Sequence, residues 1–193
     1  MEKSFKLSIM LCALVIALLS LIPAAGVNPA KEWGTVTNQV VKDSQPDLNS
    51  SYLMNKKNGY SCYDIKTDSQ DHRLECLKVP EEGTESYNIK MNYDLNGVLR
   101  FMESSCFYFF DPGDEKLKAS FNDATEAFVE SNAGIKNHKE IADIELLVNG
   151  AEKYKAFDVG EIIHIIAIDS SYADQYRRIV HYAVRPGFEK YMQ

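Results

Sequence analysis

Histidine is the side chain best placed for proton transfer near neutral pH, and this chain has four: His72, His138, His164 and His181. They are scattered, and none has a recognisable ligand partner two to four residues away, as a shared metal would require. His138, close to Glu140 and Asp143, comes nearest. Lys136 and Lys139 make that stretch read as a charged loop, and neither a metal nor a cofactor is expected. His164 is the more informative residue. It lies in EIIHIIAID, Glu161–Asp169, a run apolar on both faces, where an imidazole must find a hydrogen-bond partner or lose basicity. One reading makes it a pocket base or ligand contact, with His181 directly opposite on a neighbouring antiparallel strand and Asp169 as the nearby carboxylate. The plainer reading is a satisfied core histidine.

Two further sets of residues carry chemistry. Cys106 paired with His164 or His181 would make a thiol–imidazole couple, but no nucleophilic-cysteine signature surrounds it, and a buried thiol packed with Tyr87 and Tyr108 is expected. Near the C-terminus, Tyr172, Tyr176, Tyr182, Arg177, Arg178 and Arg185 concentrate aromatic and basic groups in an otherwise acidic chain. Guanidinium groups bind carboxylates and phosphates in bidentate fashion, so these residues are candidates for holding an anion or an acidic partner. Salt bridges along a polar strand face are the competing reading. The chain contains no glycine-rich phosphate loop, HExxH pair, CxxC or GxSxG turn.

The elements that must position these groups are anchored by residues 87–110, YNIKMNYDLNGVLRFMESSCFYFF. Asn96-Gly97 between two alternating apolar runs predicts a hairpin, because both residues tolerate the positive φ of a type I′ turn. A two-residue loop sets Tyr93 against Arg100, Met91 against Met102 and Lys90 against Glu103. It places Tyr87, Ile89, Met91, Tyr93 and Leu95 on one face with Met102, Cys106, Tyr108 and Phe110. A three-residue loop with Gly97 in a bulge would instead set Tyr93 against Leu99 and Met91 against Phe101. The first register is preferred, since the second opposes Ile89 to Glu103.

Two strands, about residues 60–66 and 72–79, precede this hairpin and complete an antiparallel meander. After it, Asp111 is placed to cap a helix, with Pro112 at its first position and Asp114 and Glu115 complementing the positive helix start. Leu117, Phe121, Ala124 and Phe128 then form one apolar stripe, ending at Asn132-Ala133-Gly134. Strand signals follow at 141–148, 153–157, 161–169 and 176–184, the last with a helix from Ser171 as its alternative. Residues 27–58 form an N-terminal segment in which AKEWGTVTNQVVKDSQ carries a weak helical pattern, diluted by Gly34. Pro46 to Ser51 reads as a loop containing the sequon Asn49-Ser50-Ser51. The expected fold is therefore α+β: an antiparallel β-sheet in ββββ-α-ββββ order, packed on one main amphipathic helix, with residues 59–193 forming a single domain.

The first 26 residues have a different character. Lys3 and Lys6 precede an uncharged apolar run, residues 7–22, and Pro23 breaks it before Ala24 and Gly26. This is the form of an N-terminal signal peptide, with cleavage after Gly26; uncleaved, residues 7–22 would be a membrane anchor. Losing two lysines and one glutamate would shift the net charge from −7 to −8. So acidic a chain argues against nucleic acid as the main partner. Export favours disulfide chemistry, and Cys62 and Cys76 fall opposite each other if the chain folds back near Ser69. These observations predict a secreted or periplasmic, non-catalytic binding or interaction module for a protein or small-molecule ligand. The competing readings are a small exported hydrolase using His164 or His181 with a carboxylate, and a membrane-anchored envelope scaffold.

Overall fold

The computed structural model describes residues 29–43, 48–66, 72–79, 85–108, 110–134, 139–141, 151–171 and 177–187. The expected leader, residues 1–26, lies outside these, as do Tyr172, Tyr176 and His138. The helices are α1 (Pro29–Asp43), α2 (Leu48–Lys57) and α3 (Asp114–Asn132). The strands are β1 (Ser61–Lys66), β2 (His72–Lys78), β3 (Glu85–Tyr93), β4 (Leu99–Tyr108), β5 (Lys139–Ile141), β6 (Ala151–Val159), β7 (Ile162–Asp169) and β8 (Arg177–Val184). All eight join one antiparallel sheet in the order β1-β2-β3-β4-β8-β7-β6-β5. The chain thus lays down half the sheet from one edge to the middle, crosses through α3 to the far edge, and returns to close the centre with β8 against β4.

The α+β class and the antiparallel sheet agree with the sequence; the count of helices does not. Three helices, not one main one, serve the helix-bearing face. Trp33, Val40 and Val41 of α1 join the same core as Phe121 and Phe128 of α3 and Ile89, Met102, Ile166 and Ile179 of the sheet. The stretch read as a loop across Pro46–Ser51 contains the start of α2. Its buried side is polar: Ser51 and Asn55 are fully buried while Leu53 is exposed. Ser51 Oγ is hydrogen-bonded to the Tyr93 hydroxyl. A helix docked through hydroxyl and amide groups shows no apolar period, which is the signal the sequence reading depends on.

The β3–β4 hairpin combines both registers considered above. Met91 faces Met102 and Lys90 faces Glu103, as in the preferred one, but a bulge after Asn92 sets Tyr93 against Leu99, as in the other. The loop is reshaped by Asp94, whose Oδ1 accepts the backbone N–H of Asn96 and of Val98, each at 2.9 Å. Gly97 takes the positive φ of 74°. The longer loop expels Leu95 from the core face, and Phe110 likewise ends up exposed. At the head of α3, Asp111 does not cap the helix. Its Oδ1 accepts the Gly113 N–H at 2.9 Å, Gly113 becomes the N-cap residue, and the helix starts at Asp114.

In the β1–β2 pair Cys62 stands directly opposite Cys76, and their sulfurs are at disulfide distance. In the chain-entropy account, closing a loop of this size contributes about 3 kcal/mol. The double substitution Cys62→Ser, Cys76→Ser is therefore expected to lower the unfolding free energy by about that amount, read from urea midpoints. An unchanged midpoint would mean that the bond does not form in solution.

Burial on both faces accounts for the uninterrupted apolar run of β7. Ile162, Ile166 and Ile168 face the helices, while Ile165 and Ala167 join Phe101, Val180, Tyr182 and Val184 in a second buried cluster on the other side. Between α1 and α3 the approach is unusually close. A Cβ on Gly34 would lie 3.1 Å from both the Ala124 Cα and the Ala127 Cβ, so glycine here is a packing choice and not a helix defect.

Candidate functional site

His164 and His181 meet under α3. β7 and β8 pair with His164 opposite Ala183 and His181 opposite Ile166, so the two imidazoles are diagonal neighbours on one face instead of directly opposed. The register is set by apolar pairs, Ile168 with Ile179 and Ile165 with Tyr182. His164 Nδ1 lies 2.9 Å from His181 Nε2, a hydrogen bond in which one ring donates and the other accepts. Phe128 covers both, its ring centroid 5.0 Å from that of His164 and 5.7 Å, edge-on, from that of His181. Burial pushes His181 down to a pKa of about 3, so that ring is neutral at physiological pH.

His164 also reaches a cavity of about 410 Å³, within the roughly 300–1,000 Å³ of small-molecule sites. Its walls come from α1 (Asn38, Val41, Lys42), the last residue of α3 (Asn132), the β6–β7 turn (Val159, Gly160, Glu161), the start of β7 (Ile162, His164) and Arg185 just beyond β8. Gly160, with a φ of 65°, makes the two-residue turn between Val159 and Ile162 that shapes one wall. Arg185 and Lys42 bring positive charge, but both are engaged. Arg185 Nη1 bonds Glu161 Oε2 at 2.7 Å and its Nε bonds the Leu99 carbonyl at 2.8 Å. Lys42 Nζ donates to the Ser131 carbonyl.

Asn38 is the residue most exactingly placed. It is 2 % exposed, and its Nδ2 donates to the Gly34 carbonyl at 2.8 Å. Its Oδ1 is buried with no hydrogen-bond partner. Burying an unpaired acceptor costs about 1–3 kcal/mol, so a donor at that position would be favoured. Asn132 is also buried, and its Nδ2 likewise donates to a carbonyl four residues back, that of Phe128, at 2.8 Å. Asn55 holds the same pose in α2 away from the cavity, so the pose itself is a helix habit; lining the cavity is what sets Asn38 and Asn132 apart.

The other sequence candidates lie elsewhere. Asp169 is an odd number of residues from His164 and therefore faces the opposite side of the sheet. There its Oδ2 accepts Arg178 Nε at 2.6 Å and its Oδ1 accepts the Ser171 backbone N–H at 2.9 Å. Burial pushes its pKa up, but the Ser171 hydroxyl and backbone N–H and the Arg178 charge outweigh that and hold it below the usual carboxylate range. Arg178 is further bonded to Glu103 at 2.7 Å and lies over Phe107, and Tyr182 is buried against Phe101. Arg177 bridges Asp114 and Glu152 at the head of α3. Of the three arginines only Arg185 lines the cavity. Cys106 is buried on the helix-bearing face, and burial pushes its thiol up to about 12, a protonated and unreactive state at neutral pH.

Asn38 and Asn132 were missed as site residues, yet each carries a trace in the sequence. Asn132 continues the stripe Leu117, Phe121, Ala124, Phe128 by one more turn, and Asn38 falls between Gly34 and Val41 on the buried side of α1. A lone amide inside an apolar stripe marks a place where packing yields to a polar need. Among the described residues no group of acidic, cysteine or histidine side chains could hold a metal ion, and no helix is long and apolar enough to cross a membrane. Compared with family models, with curated proteins and with solved structures, the chain has no match.

Proposed function

We propose that this chain is an exported, non-catalytic binding module that holds a small molecule in the cavity between α1, the end of α3 and the β6–β7 turn. The observation that carries this reading is the cavity wall itself: a concave space of suitable size lined by the unpartnered Asn38 Oδ1 and by His164. Export is supported by the leader-like residues 1–26 and by the Cys62–Cys76 pair at disulfide distance. A hydrolase built on His164 or His181 receives less support from the geometry. The two imidazoles are hydrogen-bonded to each other, and Asp169 sits across the sheet from both.

Asn38→Leu separates fold from function in this reading. Removing a buried amide whose acceptor is unpaired, and filling its space with an apolar group of similar size, should leave thermal stability within about 1 kcal/mol of wild type or raise it. Native mass spectrometry of the secreted or periplasmic protein, recovered without denaturation, should show a bound small molecule on wild type and none on the variant. The same spectra give the mature N-terminus, expected at Val27. A wild-type chain recovered without any small-molecule adduct, or a variant that keeps the adduct, overturns the reading.

A further inference from the structure

The cavity wall also specifies the kind of molecule it would take. Resting on the binding reading above, we infer that the ligand is an uncharged amphiphile: a head that donates hydrogen bonds, such as a carboxamide or hydroxyl, carried on a short apolar body.

Three features point this way. The first is the polarity of the two amides. Asn38 and Asn132 each donate one Nδ2 hydrogen to the carbonyl one turn back, at 2.8 Å. An amide carries a second N–H as well, but the buried atom without a partner is the Asn38 Oδ1, an acceptor. A ligand that meets it must donate, and a carboxylate or a phosphate oxygen cannot satisfy it. Second, the cations at the cavity leave that oxygen unmet: Lys42 turns to the Ser131 carbonyl, and Arg185 to Glu161 and the Leu99 carbonyl. That same charge opposes a cationic head. The one carboxylate on the wall, Glu161, is 84 % exposed and paired to Arg185, and so gives an ammonium group little in return. Third, Val41, Val159 and Ile162 supply apolar wall beside these amides, against which a short run of methylenes can be buried.

The test uses three six-carbon probes of one shape and different heads: hexanamide, hexanoate and hexylammonium. Each is titrated into the full mature chain while backbone and side-chain amide resonances are followed by NMR. Hexanamide should shift the side-chain NH2 signals of Asn38 and Asn132 and the backbone signals of Val41 and Ile162, with an affinity at least tenfold above that of either charged probe. Asn38→Leu should weaken hexanamide about tenfold and leave hexanoate unaffected. Asn132→Leu, on the other helix, repeats the measurement should the first variant fold poorly. Tightest binding by hexanoate or hexylammonium at these same residues would overturn the assigned ligand class and leave the cavity as a binding site. If no probe perturbs the lining residues, the binding reading itself falls.

Discussion

Arg178→Met should cost about 3–5 kcal/mol of stability at pH 7, the loss that follows when one partner of a buried charge cluster is removed. Arg178 is 11 % exposed and holds two carboxylates at once, Asp169 at 2.6 Å with 1 % exposure and Glu103 at 2.7 Å with 15 %. Methionine keeps the apolar stem over Phe107 but leaves Asp169 without this counter-charge and Glu103 with Lys90 at 3.9 Å in its place. The variant should also respond differently to acid. In wild type the lowered pKa of Asp169 is a stabilising contribution present above its unfolded value, near 3.8, and lost as pH falls through the folded one. In the variant Asp169, stripped of the arginine charge, gains from protonation, so the gap to wild type should narrow from pH 7 towards pH 4. Urea denaturation at both pH values measures this. A loss under about 1 kcal/mol at pH 7 would place the cluster with ordinary surface pairs and remove its structural role.

The second large effect is acid lability through His181. Its unfolded pKa is 6.5 and its folded one about 3, so between these values the unfolded chain binds one proton more than the folded chain. Stability therefore falls as pH falls through that window and is fully present above it. Each pH unit costs up to about 1.4 kcal/mol, or about 2 kcal/mol between pH 6.5 and pH 5. Among the described residues no carboxylate is bonded to His181: Ser104 and Ile166 flank it on the neighbouring strands, His164 is its hydrogen-bond partner, and Asp169 and Glu103 lie on the other face. In His181→Leu the slope of unfolding free energy against pH over 5 to 6.5 should drop by about one proton, whatever the substitution does to stability at pH 7. An equal slope in both proteins would show that His181 is not the acid-sensitive group.

Much of the architecture was legible because it rests on period-two and period-3.6 patterns. The alternation of residues 87–108, the stripe of Leu117 to Phe128 and the doubly apolar run of β7 each report burial directly, and apart from Leu95 in the β3–β4 loop the structure buries the core-face residues they single out. The disulfide-distance pair was legible because an antiparallel fold about Ser69 leaves Cys62 and Cys76 in register. The failures share a cause. α2 docks by polar atoms, so its buried side carries no apolar signal; the β3–β4 loop is drawn out by one carboxylate, Asp94; and α1 looked weak because Gly34, a poor helix former, is there for a neighbour distant in sequence. The site was half visible. His164 and His181 could be named from the apolarity around them, whereas the arginines left an anion site and salt bridges both open, and the carboxylates that only the fold brings near decide for salt bridges. Asn38 and Asn132 lacked chemical reputation, and a search for reactive residues passes over amides.

The close contact at Gly34 reaches further than its own packing. At Gly34 α1 approaches Ala124 and Ala127 of α3 as closely as the absent methyl group allows. Asn38 stands one turn further along α1, Asn132 lies further along α3 than Ala127, and both line the cavity. The spacing of the two helices beside the cavity thus depends on a methyl group missing several residues away. A side chain added at Gly34 would push the two helices apart and shift both amides without touching either.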